Sequence, residues 1–211
     1  MLSTTPRTTL GREKHRGSTD RNDLYEVLDS GLICHLGVVV NGHPMVVPTG
    51  YGRIGDTLYL HGSTGARSLR AGQGQQVCVT VTRLDGIVLA RSVFNHSVNY
   101  RSAIVYGEAR LVTDEQERMD GLRALTEQLA PGQWDYARRP TRKELAATSV
   151  LALSLEEASV KVRSGAPEDE EEDYALPVWA GVLPVVSSWG APVPDPVLAG
   201  DTATPAHIRD R

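Results

Sequence analysis

A hairpin signal at Asn41-Gly42 constrains this fold more than any other feature of the chain. Residues 32–40 and 45–51 are short apolar runs that predict β-strands, and Asn-Gly favours the tight turn that joins two antiparallel strands. Pro48 interrupts the second strand and indicates an edge, a bulge or a bend. A glycine–aspartate turn then leads into a third strand, so three strands follow one another in meander order.

Further strand patterns occupy the middle of the chain. Apolar residues alternate over 76–82, the composition predicts a turn over 82–86, and a second strand continues over 87–94. A polar and irregular stretch over 95–101 precedes a long strand over 102–112. These strands are closely spaced along the chain, which is typical of antiparallel β proteins.

Helices are predicted at three places. Apolar residues at helical spacing over 22–30 predict the first helix, which Gly31 ends in the left-handed conformation. A capping-box pattern opens two further helices, at 113–116 and at 141–144. A final strand is predicted over 150–162.

These elements predict a mainly β fold, a small closed or split barrel of six or seven antiparallel strands with two or three flanking helices. A chain of 211 residues suits one such domain with extensions. We predict a flexible arm over 1–20, the barrel domain over 21–185 and an extended or disordered tail over 186–211. The acidic run 168–173 is predicted to be a solvated loop.

Composition excludes several classes of partner. The net charge of −4 gives no nucleic-acid footprint, and no apolar run approaches the ~20 residues of a membrane span. The N-terminus lacks the apolar core of a signal peptide, which predicts a soluble cytoplasmic protein. Cys34 and Cys78 are predicted to be buried free thiols, and no spacing of histidine, cysteine or carboxylate indicates a metal site.

A candidate phosphate site lies where the third strand ends, within residues 57–69. Gly62 breaks the strand, and Ser63, Arg67 and Ser68 lie between it and a short helix. Backbone N–H groups, hydroxyls and a guanidinium are the groups that bind phosphate. The alternative for Arg67 is a solvated arginine on a surface helix.

The order of these motifs resembles the pyridoxamine 5′-phosphate oxidase-like family, which has the FMN-binding split β-barrel. It is most similar to the branch of nitroimidazole-resistance and flavin-nucleotide-binding proteins. The resemblance extends over roughly residues 12–185 and implies a homodimer with FMN in a groove between the two barrels. The motifs that carry it are residues 31–42, 58–63, 67–69, 77–82, 85–92, 96–102, 107–109, 161–163 and 179–181.

The resemblance also implies positions for the cofactor. The backbone of one strand would lie along the flavin ring, and the loop after the next strand would hold the phosphate. Thr49 stands where pyridoxamine oxidases have a basic residue, and their pyridoxal-phosphate-binding set is not matched, so pyridoxamine phosphate oxidation is not predicted. The implied contacts are Val47, Pro48, Thr49 and Tyr51 at the ring and Gly62, Ser63, Arg67 and Ser68 at the phosphate.

Five further residues have alternative roles. His61 either donates to a phosphate or flavin carbonyl or bonds the backbone. Ser97 and Asn99 belong to a polar loop that either lines the cofactor and substrate or is structural. Arg101 either places positive charge near the flavin N1–C2 region or pairs with an acid in a neighbouring strand. Trp179 either stacks on the flavin, bridges the dimer or anchors packing.

The leading functional prediction is an FMN-dependent oxidoreductase. It would pass electrons from a reduced nicotinamide through flavin to a small aromatic or nitro-aromatic acceptor. The alternative is a non-catalytic split-barrel protein that binds flavin, haem or the deazaflavin F420, because His61 and His96 lie at candidate groove positions. A third possibility is an interaction module that uses the Trp179 segment.

Overall fold

The computed structural model describes residues 1–198, 200 and 202–211. These residues form one antiparallel sheet of ten strands with helices packed around it. The strands are β1 Gly17–Ser18, β2 Ile33–Val40, β3 His43–Ile54, β4 Thr57–Ser63, β5 Gln76–Leu89, β6 Ser97–Glu108, β7 Arg110–Leu111, β8 Thr148–Ser154, β9 Glu157–Arg163 and β10 Gly181–Pro184. The helices are α1 Arg21–Ser30, α2 Arg67–Gly72, α3 Glu115–Leu129, α4 Gln133–Tyr136, α5 Arg142–Ala146 and α6 Ala206–Arg209.

The strand order across the sheet is β1-β9-β6-β5-β2-β3-β4-β8-β7, and β10 pairs with β5. In the described part of the chain the end strands β1 and β7 do not pair with each other, so the barrel stays open. This confirms the predicted mainly β, antiparallel split barrel. None of the described helices is long and apolar enough to span a membrane.

The β2–β3 hairpin forms as predicted. Asn41 and Gly42 both have positive φ, at 51° and 79°, as the tight hairpin turn requires. Val40 pairs with His43 across the turn, so the register is fixed from the first pair onward. Cys34 and Leu36 of β2 are fully buried inside the barrel.

Gly31 ends α1 for a different reason from the one predicted. Its φ is −86°, so the predicted left-handed conformation is wrong. A Cβ at this position would lie 2.5 Å from the Tyr51 hydroxyl and 2.6 Å from Val81 Cγ1, so close packing requires glycine. The open carbonyls at the end of α1 are instead satisfied by Gln128 Nε2, which lies 3.0, 3.1 and 2.6 Å from the oxygens of Leu28, Asp29 and Gly31.

Three predicted boundaries are wrong because long-range pairing overrides local composition. The turn predicted over 82–86 is a bulge between Leu84 and Gly86 within a continuous β5. The stretch predicted as irregular joins the sheet from Ser97 onward. The predicted final strand is two strands, β8 and β9.

The two predicted capping boxes have different outcomes. The box at 141–144 is confirmed, with Thr141 and Glu144 each bonding the other's backbone. The box at 113–116 is wrong, because Asp114 caps α3 by accepting from the Glu117 N–H at 2.8 Å.

A split between β3 and β4 positions the candidate site. The two strands pair only from Tyr51–Leu60 to Ile54–Thr57. Before Tyr51, β3 pairs only with β2, and from His61 onward β4 pairs only with β8. The facing edges of the two strands therefore diverge. Helix α3 lies across β3, so close that a Cβ on Gly52 would be 2.7 Å from the Ala124 carbonyl oxygen.

The segments outside the barrel also pack against it. In residues 1–20, Leu2 is buried and the Ser3 hydroxyl donates to the Glu156 carbonyl at 2.5 Å. Two positions of the predicted tail, 199 and 201, lie outside the described residues. Within the described part of the tail, His207 in α6 bonds Gln133 in α4 at 2.9 Å.

The prediction that residues 168–173 form a solvated loop is wrong at Asp169. The side chain of Asp169 is fully buried and accepts from the backbone N–H groups of Arg91 and Ser92 at 2.8 and 3.1 Å. Burial alone raises the pKa of this carboxyl, but these hydrogen bonds and the Arg91 guanidinium outweigh it and hold the pKa below its usual value. Asp169 therefore anchors the acidic run to the residues that follow β5.

Candidate functional site

One edge of β3 faces the split without a strand partner. Val47 and Thr49 are half-buried there, and Pro48 is exposed. An unpaired strand edge presents backbone N–H and C=O groups to a ligand, although Pro48 contributes only its carbonyl. The Thr49 hydroxyl donates to the Gly50 carbonyl at 3.3 Å. The ring contacts implied for residues 47–49 thus lie on an accessible edge.

The loop after β4 carries an unpaired cation. The Ser63 hydroxyl accepts from the Gly65 N–H at 3.1 Å, and the Ser63 carbonyl accepts from the Ala66 N–H at 2.8 Å, which shapes the turn into α2. Arg67 is exposed and forms neither an ion pair nor a hydrogen bond within the described residues. Ser68 follows it on the same short helix. The guanidinium is therefore available to an anion.

Gly62 allows α2 to approach β4. A Cβ at this position would lie 2.9 Å from Leu69 Cδ1, on the buried face of the helix. The glycine thus positions the Arg67 loop through packing.

A cavity of about 470 Å³ opens beside the end of β4, beneath α3, α4 and α5. Its wall is mainly apolar, and His61 contributes an imidazole to it. Neither ring nitrogen of His61 has a hydrogen-bond partner in the described parts of the chain. His61 is exposed at the mouth of the cavity, and partial desolvation there lowers its pKa, so the ring is neutral over a wider pH range. The apolar lining residues are Leu122, Leu125, Leu129, Trp134, Ala137, Pro140 and Leu145.

The rim of this cavity is charged. Arg138 forms a two-point ion pair with Glu144, at 2.8 and 2.6 Å. This arginine, followed by the backbone and hydroxyl of Thr141, lowers the pKa of Glu144 to about 2. The Glu127 carboxylate accepts a hydrogen bond from the backbone N–H of Trp134 at 2.9 Å. This bond fixes the start of α4 and so positions the Trp134 indole in the wall.

Three of the predicted contacts have hydrogen-bond partners within the protein. Tyr51 is fully buried, burial raises its pKa, and its hydroxyl donates to the Leu28 carbonyl. Asn99 is buried and accepts from Arg163 at 2.5 Å. Arg101 pairs with Asp85 at 2.9 Å, which is the structural alternative considered for it.

The remaining candidates lie away from the split. Ser97 is on β6, which β5 and β2 separate from β3. His96 accepts from the Ala90 N–H at 3.0 Å and so fixes a turn. Trp179 is 68% exposed and lies beside Gly181 at the start of β10.

Sequence reasoning missed the cavity wall. Trp134 and Arg138 lie in short helices whose relation to β4 depends on how α3 crosses the sheet. The confirmed box at 141–144 locates the start of α5 but carries no information about which face meets His61. No local pattern marks these residues as neighbours.

Comparison with known proteins identifies the family. The family described as pyridoxamine 5′-phosphate oxidase matches residues 20–162. The chain belongs to this family. The resemblance found in the sequence is thereby confirmed, while none of the curated proteins matches the chain.

Two solved structures are similar to this family member over nearly its whole length. The flavocytochrome Anf3 from Azotobacter vinelandii has 40% identity and a TM-score of 0.94, covering 100% of this chain and 98% of its own. The FAD and haem binding protein from Mycobacterium smegmatis has 42% identity and a TM-score of 0.88, covering 92% and 96%. A structure from Bacteroides thetaiotaomicron assigned to 5-nitroimidazole antibiotic resistance shares the fold, with 21% identity, a TM-score of 0.59 and coverage of 69% and 86%.

Proposed function

We propose that the protein is an electron-transfer oxidoreductase that binds a flavin and a haem and works as a homodimer. The observation that carries the proposal is the apolar cavity with the unbonded His61 imidazole, beside a strand edge and a loop suited to a flavin. The two relatives at 40% and 42% identity are described as a flavocytochrome and as an FAD and haem binding protein.

The cavity fits a haem in size and chemistry. Its volume of about 470 Å³ lies in the usual range for small-ligand pockets, about 300–1,000 Å³. A neutral imidazole is a common axial ligand of haem iron, and the lowered pKa of His61 keeps the ring in that form. Arg138 lies at the rim, where its pair with Glu144 would have to be shared with a haem carboxylate.

The split fits a flavin. Ser63, Arg67 and Ser68 would hold its phosphate, and the edge of residues 47–49 would bond the polar side of its ring. When bound, a flavin supplies hydride and electron transfer and a haem supplies one-electron chemistry. The chain's own residues bind and orient these groups and exclude water from them.

A second copy of the chain would cover the flavin side of the sheet. The outward face of the β2–β3 hairpin is apolar and solvent-accessible, with Ile33, Val39 and Val46 49%, 61% and 64% exposed. A contiguous apolar surface of this kind marks a protein interface. The exposed Trp179 would then meet the partner rather than its own barrel.

The electron donor we propose is a reduced nicotinamide, and the acceptor is a small aromatic or nitro-aromatic molecule. Hydride and electron transfer are carried by the cofactor, so this chemistry asks the protein for binding and orientation rather than for a catalytic acid or base.

The absorption spectrum of the purified protein tests the proposal. We expect a flavin spectrum together with a Soret band, and mass spectrometry of the small molecules released on denaturation identifies both groups. His61→Ala should abolish the Soret band and leave the flavin bands, while His43→Ala, at an exposed histidine in β3, should retain both. If His61→Ala keeps the parental Soret band, the assignment of the haem site is wrong.

A further inference from the structure

A second cavity, of about 430 Å³, lies beneath the tail on the other side of the end of α3. It is bounded by the end of α1, the start of β2, the middle of β5 and the residues around Trp189. None of its lining residues belongs to the His61 cavity, the Arg67 loop or the β3 edge. The proposed function therefore leaves this cavity without a role.

The carboxylates in this cavity are already engaged. Asp29 accepts two hydrogen bonds from Arg53, at 2.7 and 2.5 Å. Glu127 accepts from the N–H groups of Gly132 and Trp134 at 2.7 and 2.9 Å. Arg53 thus neutralises the charge of Asp29, and the Glu127 carboxylate is oriented toward backbone N–H groups.

The guanidiniums in the cavity retain free donors. Arg83 donates one N–H to the Ser30 carbonyl at 2.7 Å and has no ion pair in the part of the chain that the structure describes. Arg211 donates to the Leu129 carbonyl at 2.5 Å and stacks 4.1 Å from the centre of the Trp189 ring. Since a guanidinium carries five N–H donors, both can accept an anion without losing these contacts.

We propose that this cavity binds an adenine nucleotide. The base would stack on the face of the Trp189 ring opposite the Arg211 guanidinium, since Trp189 is 56% exposed, and the phosphates would bind Arg83 and Arg211. The cavity combines a planar aromatic surface with two cations, and a nucleotide combines a planar base with an anion. The same adenylate group occurs in a free nucleotide and in the ADP half of FAD.

Calorimetric titration of the full-length protein with ADP tests the proposal. We expect ADP to bind, and adenosine and pyrophosphate, which each lack one half of the recognition, to bind about tenfold more weakly. Arg83→Gln and Trp189→Ala should each weaken ADP binding about tenfold, and Arg83→Lys should weaken it less because it keeps the charge. Arg70→Gln, which removes an exposed arginine from α2, is the matched control and should bind ADP as the parent does.

Thermal unfolding of each variant separates loss of binding from loss of folding, and Trp189→Ala remains informative if Arg83→Gln is unstable. The proposal is overturned if ADP does not bind at millimolar concentration, or if Arg83→Gln and Trp189→Ala bind it like the parent. These results are independent of the Soret band of the His61→Ala test.

Flavin affinity identifies the source of the adenylate. If Arg83→Gln weakens the binding of FAD but not of FMN to the cofactor-free protein, the cavity holds the ADP half of the cofactor. If the affinities of both flavins are unchanged while ADP binding falls, the cavity holds a free nucleotide.

Discussion

Gln128 of α3 bonds the end of α1, and its removal tests whether that link stabilises the fold. Its side-chain amide faces three carbonyl oxygens at the end of α1, those of Leu28, Asp29 and Gly31. Gln128→Ala removes this donor from Asp29 and Gly31, because Gly31 is extended and does not close the helix with the usual left-handed turn, while the Leu28 oxygen keeps the Tyr51 hydroxyl and the Gly31 N–H.

The loss of folding free energy in Gln128→Ala is estimated from the two N–H donors of the Gln128 amide. Each hydrogen bond contributes about 0.5–1.5 kcal/mol, and a buried acceptor left unpaired costs about 1–3 kcal/mol. Only part of the site is buried, since the bonds to Leu28 and Gly31 are half-buried and the bond to Asp29 is exposed. We therefore expect a loss of about 2 kcal/mol, which lowers Tm by about 4–8 °C in a domain of this size.

Gln116→Ala is the matched control for this variant. Gln116 lies on the same helix, is exposed, and bonds only Asp120, one turn away, at 3.1 Å. The control should change stability by no more than about 0.5 kcal/mol. Calorimetric unfolding of both variants and of the parent gives the Tm values to be compared. Equal Tm values for the two variants would refute the reasoning.

Three further predictions concern the cofactor sites. Arg67→Ala should weaken flavin binding by roughly 1–3 kcal/mol, the scale of a charge-assisted hydrogen bond, whereas Arg70→Ala should not, as measured by fluorescence titration. Gly52→Ala should cost about 1–3 kcal/mol and lower haem content because its Cβ would meet the α3 backbone, while Gly50→Ala, with nothing nearer than 4.0 Å, should do neither. Glu144 has its pKa lowered from 4.5 to about 2, so its stabilising effect is complete above pH 4.5 and disappears toward pH 2. Glu144→Gln should therefore flatten the dependence of Tm on pH in that window.

Local chemistry explains what the sequence predicts correctly. The Asn41-Gly42 turn and the box at 141–144 each depend on residues that are close together in the chain. Gly31 was predicted as a helix end for its backbone freedom, but its role is to leave room for Tyr51 and Val81, which are distant in sequence. The bulge after Leu84 likewise depends on pairing with β6. Packing between distant segments, which a single sequence does not encode locally, accounts for these differences.

The same argument separates the two halves of the candidate site. The Arg67 loop is contiguous, and its glycine, hydroxyls and cation identify it in the sequence. The cavity around His61 is built from β4 and three helices, so only the fold brings its wall together. Two polar candidates, Asn99 and Arg101, were plausible by composition but have partners in Arg163 and Asp85.

Three consecutive residues at the end of α3 connect both cavities. The Glu127 carboxylate holds the start of α4, and therefore Trp134 in the His61 cavity. Gln128 holds the end of α1 beside the proposed nucleotide cavity, while the Leu129 side chain lines the His61 cavity and its carbonyl binds Arg211 from the tail. A displacement of this turn changes the walls of both cavities at once. Binding in one cavity is thus expected to alter affinity in the other, and the Soret band measured during ADP titration reports that coupling directly.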